Sequence, residues 1–212
     1  MPRVEKSCPG AHPANLSPVG LAKCRRMVVD MNASKNKGDR AEREAVEVLK
    51  ELASDLVLPN AMRKLGAGRK EDTGDLHVFS DVTIQVKSLK NPVAALRAAA
   101  SGALVQSERA QTRWHLGMAP LPRARKNGIH WLCVTSEWPT SPIGPFPQFG
   151  TTGTAIEYIR SDSKFIMVVP TERLAMVTRQ GKDSLFIGSV DAWVDALRVA
   201  RLVMYSLAER SL

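Results

Sequence analysis

One run of thirteen residues, Asp75-Leu-His-Val-Phe-Ser-Asp-Val-Thr-Ile-Gln-Val-Lys87, restricts the fold more than any other part of the chain. Its second half alternates Val82, Ile84 and Val86 with Thr83, Gln85 and Lys87. A strand has a period of two, so the apolar three share one face and the polar three the other. Ser80-Asp81 reads as the turn between two short strands, and Thr73-Gly74 as a turn leading into the first. The expected hairpin brings together a carboxylate, an amide oxygen and an ammonium. That combination suits a divalent cation with a fixed positive charge beside it. The same alternation also describes an ordinary antiparallel hairpin with one solvated face, so the flanking sequence has to separate the two.

Upstream, residues 39 to about 56 read as a helix. Asp39 is a favourable N-cap. Ala45, Leu49, Leu52 and Leu56 recur at spacings of four, three and four, which makes one apolar stripe. Glu42 falls at the head of that stripe, where a carboxylate wants a partner or a metal. The partner could be local, because Asp39-Arg-Ala-Glu42 also fits a capping box. A short apolar segment, Leu56 to Leu58, is broken by Pro59-Asn60. Arg63-Lys64-Leu-Gly66-Ala-Gly68-Arg69-Lys70 then forms a basic, glycine-containing loop suited to phosphate contacts, or simply solvated.

Downstream, the alanine-rich segment from 93 to about 114 reads as a second helix after Asn91-Pro92, weakened midway by Gly102. Gln106, Arg109 and Arg113 form a polar face, either solvated or laid along DNA. Arg123-Ala-Arg125-Lys126 is a basic link before a buried strand at Ile129–Thr135. Residues 139–153 are too rich in Pro and Gly for regular structure. Ala155–Ile159, Lys164–Val169 and Leu185–Ile187 read as strands, and Thr171-Glu172 as a turn or short helix. A closing helix spans Asp191 to about Glu209, with Trp193, Leu197, Ala200, Met204 and Leu207 on its apolar side.

Residues 1 to 36 show no sustained period, carry recurrent prolines and have an excess of Lys and Arg, so they read as a basic arm ahead of a domain at 37–212. Met27 and Met31 stand as alternative starts. Cys8, His12 and Cys24 match no common zinc spacing. The three cysteines of the 212-residue chain do not form a disulfide framework. The net charge of +9 favours a polyanionic partner, nucleic acid ahead of an anionic membrane. No apolar run reaches the roughly 18 residues that a membrane span needs, and no signal-peptide core opens the chain. An intracellular protein with no membrane partner is expected.

In order, these features are a helix carrying Glu42, a basic loop, Asp75 at a strand start, Gln85-x-Lys87 on the next strand, and a helix. This order resembles the PD-(D/E)xK nuclease superfamily, and within it the archaeal-type Holliday junction resolvases. Lys37-Gly-Asp-Arg-Ala-Glu42-Arg43-Glu44 looks like the opening of their first helix, and Asp75 with Gln85-x-Lys87 like their paired-strand active site. The resemblance covers about residues 37–90 and, loosely, the chain to Thr135. It implies an α/β fold with a restriction-endonuclease-like mixed β-sheet flanked by helices. It implies Glu42 and Asp75 as ligands of Mg²⁺, with Mn²⁺ as an alternative, and Lys87 beside the attacking water or scissile phosphate; the Gln85 oxygen or the adjacent Val86 carbonyl would complete the ligand set. It implies Arg43 and Arg63 as DNA contacts, to which the reading of the basic loop adds Lys64 and Arg69. A homodimer follows if the substrate is a two-fold junction.

Gln85 departs from the resemblance, because the family usually has Glu there. An amide oxygen can still ligate a hard cation, and Gln-x-Lys occurs in the wider superfamily, but one negative charge is lost. The expected function is therefore a metal-dependent DNA endonuclease, with junction resolution as the specific form. Another repair or restriction-like nuclease or an exonuclease is the alternative within that chemistry. A non-catalytic DNA-binding protein on a degenerate nuclease fold is the alternative outside it. No phosphate-binding glycine loop, nucleophile elbow or spaced Cys/His pair competes.

Overall fold

The computed structural model describes residues 36–64, 73–122, 130–141, 147–160, 174–179 and 181–209. The chain divides into two units, Met1–Arg40 and Ala41–Leu212. Of the first, residues 36–40 are described, and all are helical. Asp39 therefore lies inside helical backbone and is not an N-cap. An Asp favours a helix start, but the preceding turn can still form. Helical backbone covers residues 36–52, and the part within the second unit, 41–52, is α1. It ends short of the expected residue 56. Leu52 is 36% exposed, while Ala41, Ala45, Val46, Leu49 and Ala53 form the buried stripe.

The second unit is a mixed α/β arrangement built on one eight-stranded sheet. Its strands are β1 (Met62–Arg63), β2 (Leu76–His77), β3 (Val82–Val86), β4 (Trp114–Pro120), β5 (Trp131–Thr135), β6 (Gln148–Phe149), β7 (Leu174–Arg179) and β8 (Lys182–Ser189). The remaining helices are α2 (Pro92–Ala110), α3 (Thr152–Arg160) and α4 (Val190–Glu209). The spatial order is β1-β2-β3-β4-β5-β8-β7-β6. β1, β2 and β3 run antiparallel in succession, α2 crosses over, and β4 lies parallel to β3.

Strand alternation divides the core between the two faces of the sheet. Leu76, Ile84, Val86, Leu116 and Met118 pack with α1 and α4. Leu132, Val134, Ala175, Val177 and Ile187 pack with α2 and α3. The expected hairpin is present, with Leu76 opposite Ile84. Its polar face is not solvated, because Thr83 and Gln85 are each 2% exposed. α2 packs against β3 and β4 and covers them.

Several other expectations are corrected. Ala155–Ile159 is not a strand but lies inside α3. Thr151 starts that helix, its Oγ1 accepting the Thr154 N–H at 3.2 Å, and Ala155, Ile156 and Ile159 fall on one buried face. The Pro/Gly-rich segment 139–153 ends in regular structure, with β6 and the first residues of α3. α2 starts at Asn91, whose Oδ1 accepts the Val93 N–H at 2.9 Å, and stops at Gln111 in a left-handed conformation, φ 51°. The face expected of Gln106, Arg109 and Arg113 does not form. Gln106 is buried, and Arg113 lies beyond the helix with its guanidinium 5.0 Å from the Trp114 ring centroid. The strand at Lys164–Val169, Thr171-Glu172 and the link Arg123–Lys126 lie outside the described residues.

Candidate active site

Asp75 is fixed by its backbone before its side chain is considered. Its N–H donates to the Ile84 carbonyl at 2.8 Å, and its carbonyl accepts the Lys64 N–H at 2.8 Å. The chain reaches this position through Gly74 at φ 104°, where a Cβ would stand 3.1 Å from the Ile84 carbonyl oxygen. Only glycine takes that conformation cheaply. The Asp75 side chain then turns toward β3. Its Oδ2 accepts the Val86 backbone N–H at 2.8 Å and a hydrogen bond from the Gln85 side-chain Nε2.

Gln85 is enclosed from the other side by α2. A Cβ on Gly102 would lie 3.0 Å from Gln85 Cγ and 3.1 Å from its Oε1. The glycine that weakens α2 in the sequence is thus the residue that makes room for the Gln85 amide. Gly117 of β4 stands in register with Gln85, and a Cβ there would lie 2.8 Å from the Ala99 backbone carbon. With Ala95, Ala99 and Ala103 on its buried face, α2 therefore approaches the sheet closely over Gln85.

Glu42 of α1 finds its partner twenty-one residues away: its Oε2 accepts the Arg63 Nε–H. The two side chains are 16% and 18% exposed, so the pair is largely withdrawn from water. This contact answers the expectation that Glu42 needs a partner, and supplies one other than the capping box. Arg63 stands opposite Leu76, and the next residue, Lys64, bonds the Asp75 backbone. Arg63 and Asp75 are thus one residue out of register, which turns the Glu42–Arg63 pair to the α1 face of the sheet and the Asp75–Gln85 pair to the α2 face.

The remaining expected residues are less gathered. Lys87 is half-buried just past β3, its N–H donating to the Met118 carbonyl at 3.0 Å. Lys64 is half-buried too, and its Nζ donates to the Thr73 carbonyl and Oγ1, both at 3.0 Å. That contact closes the base of the basic loop, whose Arg69 lies outside the described residues. Arg43 is exposed on α1.

Two carboxylates and an amide are hard donors of the type Mg²⁺ takes. Among the described residues no three His, Cys, Asp or Glu side chains converge as a ready-made cage. Glu42 is engaged by Arg63, and Gln85 turns its nitrogen rather than its oxygen toward Asp75. A shared cation would need an exchange of partners, with Asp75 and Glu42 as its charged ligands. Such a metal supplies a more acidic bound water and a polarised phosphate.

The sequence reading passed over His115 of β4, opposite Thr83 and 8% exposed. Its Nε2 accepts the Ser136 N–H at 3.2 Å and lies 2.9 Å from Ser136 Oγ. Burial pushes its pKa below the ordinary 6.5, against a smaller upward pull from Glu137 and Glu108. A His, a Gly and a Pro within Trp114–Pro120 hide this strand from pattern reading. Comparison with protein-family models, curated proteins and solved structures finds no match to this chain.

Proposed function

We propose that this chain is a metal-dependent DNA endonuclease of the PD-(D/E)xK type, acting on branched DNA such as a four-way junction. The observation that carries the reading is the meeting of Asp75 and Gln85 across the β2–β3 hairpin, with Lys87 two residues further along the same chain. A mixed sheet flanked by helices, with Arg63 next in the chain to the Lys64 that bonds the Asp75 backbone, is consistent with it. The net charge of +9 suits a phosphate backbone.

Each residue then has a physical task. Asp75, held by two N–H donors, is a fixed anionic ligand. Glu42 would join it if Arg63 left the pair for a phosphate. Lys87 supplies a fixed positive charge to the phosphate oxygens as charge builds on them. Gln85 keeps Asp75 in place through its amide N–H. A metal held there would supply a more acidic bound water for the attack.

A second reading has an observation of its own. Both carboxylates are already paired inside the protein, Glu42 with Arg63 and Asp75 with Gln85. That arrangement suits a DNA-binding protein on a nuclease fold that no longer cuts.

The test is cleavage of a labelled four-way junction and the matching linear duplex, with Mg²⁺, Mn²⁺ or chelator. Wild type runs beside Asp75→Ala and Lys87→Ala. Metal-dependent, symmetric nicks on the junction, lost in both variants, support the nuclease and its branched substrate. Equal cutting of the duplex keeps the nuclease and removes the junction. Salt-sensitive binding with no product under either metal passes the site to the second reading.

A further inference from the structure

The face of α2 that lies on the sheet carries Ala95, Ala99, Gly102 and Gln106, at spacings of four, three and four. The first three are small. Gln106 is long and polar, yet it is only 6% exposed. Its Oε1 is fully buried and accepts no hydrogen bond among the described residues. A buried acceptor in that state is unfavourable and asks for a reason.

The hydroxyls of this face are already engaged. Thr112 Oγ1 donates to the Trp114 carbonyl at 3.2 Å, so the Thr83 hydroxyl, 2.8 Å from it, donates to Thr112. Ser107 Oγ donates to the Leu104 carbonyl at 2.8 Å. What Gln106 overlies is Gln85. Long side chains on a helix lean back over the preceding turn, which for Gln106 is the turn of Gly102. The three heavy atoms nearest a Cβ at Gly102 all belong to Gln85, with Cγ at 3.0 Å, Oε1 at 3.1 Å and Cδ at 3.3 Å. Gln85 therefore turns its amide oxygen toward α2 and its nitrogen toward Asp75. Two amide oxygens share the α2 side, and neither can donate.

We propose that Gln106 is a positioning residue for the cation site: its Oε1 receives the Gln85 Nε2–H when Gln85 turns its own oxygen toward a divalent cation at Asp75. The proposal rests on the metal-dependent reading above, and it gives Gln85 the change of partner that such a cation requires. A half turn of the terminal amide swaps its oxygen and nitrogen, and that torsion is broad and two-fold. The turn brings a hard oxygen beside the Asp75 carboxylate, an arrangement of two acceptors that a cation stabilises. It also carries an N–H into the α2 face, where a donor without an acceptor is unfavourable. Gln106 Oε1 is the acceptor, and it gains its own missing partner in the same movement. The Val86 N–H remains on Asp75 Oδ2, so the carboxylate keeps its place while the amide turns. Without a cation the turned amide would set two acceptors against each other, and Gln85 keeps its N–H on Asp75.

The test is calorimetric titration of the full chain with Mn²⁺, for wild type, Gln106→Met, Gln85→Glu and the double variant, alongside thermal unfolding in chelator. Methionine is flexible and apolar, so it fills the place of Gln106 and removes the acceptor. In chelator Gln106→Met should unfold no earlier than wild type, because no hydrogen bond to Oε1 is lost. It should bind Mn²⁺ on the order of tenfold more weakly, since the turned Gln85 amide then has a buried donor without a partner. A residue with only a structural role would move the unfolding midpoint and leave the affinity unchanged. In the Gln85→Glu background the same substitution should leave the affinity unchanged, because no amide N–H is there to turn. In wild type, saturating Mg²⁺ should shift the side-chain amide resonances of Gln85 and Gln106 together, which requires no variant. Equal Mn²⁺ affinity for wild type and Gln106→Met overturns the proposal and leaves the metal-dependent reading standing. So does an equal loss in both backgrounds, because the effect then does not pass through Gln85. A Gln85 amide resonance that Mg²⁺ does not move overturns it as well. A wild type that binds no Mn²⁺ overturns both the proposal and the metal-dependent reading.

Discussion

Asp75 accepts hydrogen bonds from the Gln85 side-chain amide and, at 2.8 Å, from the Val86 backbone N–H. A glutamine can make the first of these contacts, whereas an ionised glutamate cannot. The residue that departs from the resemblance therefore acts in the structure as a hydrogen-bond donor.

Replacing the donor should have a signed effect. Gln85→Glu puts a second carboxyl against Asp75 at a position 2% exposed. Without metal the two acids repel or share a proton. Stability should fall by about 1–3 kcal/mol, the range for stranding a buried polar group. Mn²⁺ binds between two acids more tightly than between an acid and an amide, so it should restore the variant more than it stabilises wild type. Thermal unfolding in chelator and with added Mn²⁺ reads both effects. Equal midpoints for the two proteins in chelator would refute the donor role.

The Glu42–Arg63 pair can be tested by a double-mutant cycle. Its side chains are 16% and 18% exposed, between the surface and fully buried cases. Arg63→Leu and Glu42→Gln should each cost about 1–3 kcal/mol, because each leaves the other group in a poorly solvated place. The double variant should cost clearly less than the two combined, with a coupling of at least about 1 kcal/mol. Urea unfolding of the four proteins provides the numbers. Additive losses would mean that the two groups stand apart in solution.

How much of this site could be read in the chain depends on how local each contact is. The Asp75 turn and the alternation of Val82 to Val86 are short-range signals, and both the hairpin and the Gly74 turn follow from them. Glu42 was legible as a carboxylate needing a partner, but not that the partner is Arg63. Nothing local says that Thr83 and Gln85 are buried, because α2 covers them and the parallel pairing of β3 with β4 bridges thirty-odd residues. Gly102 in α2 and Gly117 in β4 look like flaws in their elements when read alone. Together they are the close approach that encloses Gln85. Ala155–Ile159 failed for another reason: its apolar residues suit either period, and the Thr151 cap decides for helix.

The two glycines should respond differently to alanine. In an ordinary helix, Gly→Ala gains up to about 1 kcal/mol. At Gly102 the added Cβ meets the Gln85 side chain at 3.0 Å, which can give a little. Gly102→Ala should come out near neutral or destabilising by about 1 kcal/mol. At Gly117 the Cβ meets Val134 Cγ1 at 2.7 Å and the α2 backbone at 2.8 and 2.9 Å. Backbone of a packed helix cannot step aside, so Gly117→Ala should cost about 3 kcal/mol or more. Chemical denaturation of the two variants ranks them. The reverse order would show that α2 does not press on β4 in this way.

His115 sets a pH dependence whose sign follows from its environment. Its Nε2 accepts the Ser136 N–H at 3.2 Å, a bond that protonation breaks. Burial holds its folded pKa below the ordinary 6.5, more strongly than Glu137 and Glu108 pull it upward. The unfolded chain therefore takes up the proton first as pH falls. The stability that neutral His115 contributes is fully present above about pH 6.5 and declines below it. One differential proton gives a slope of at most about 1.4 kcal/mol per pH unit. His115→Gln lacks the titrating group, so although it is weaker at neutral pH, its stability should fall less between about pH 7 and about pH 5. Urea midpoints across that interval, wild type against variant, should converge as the pH drops. Parallel lines would mean that His115 is not the group that loses its hydrogen bond.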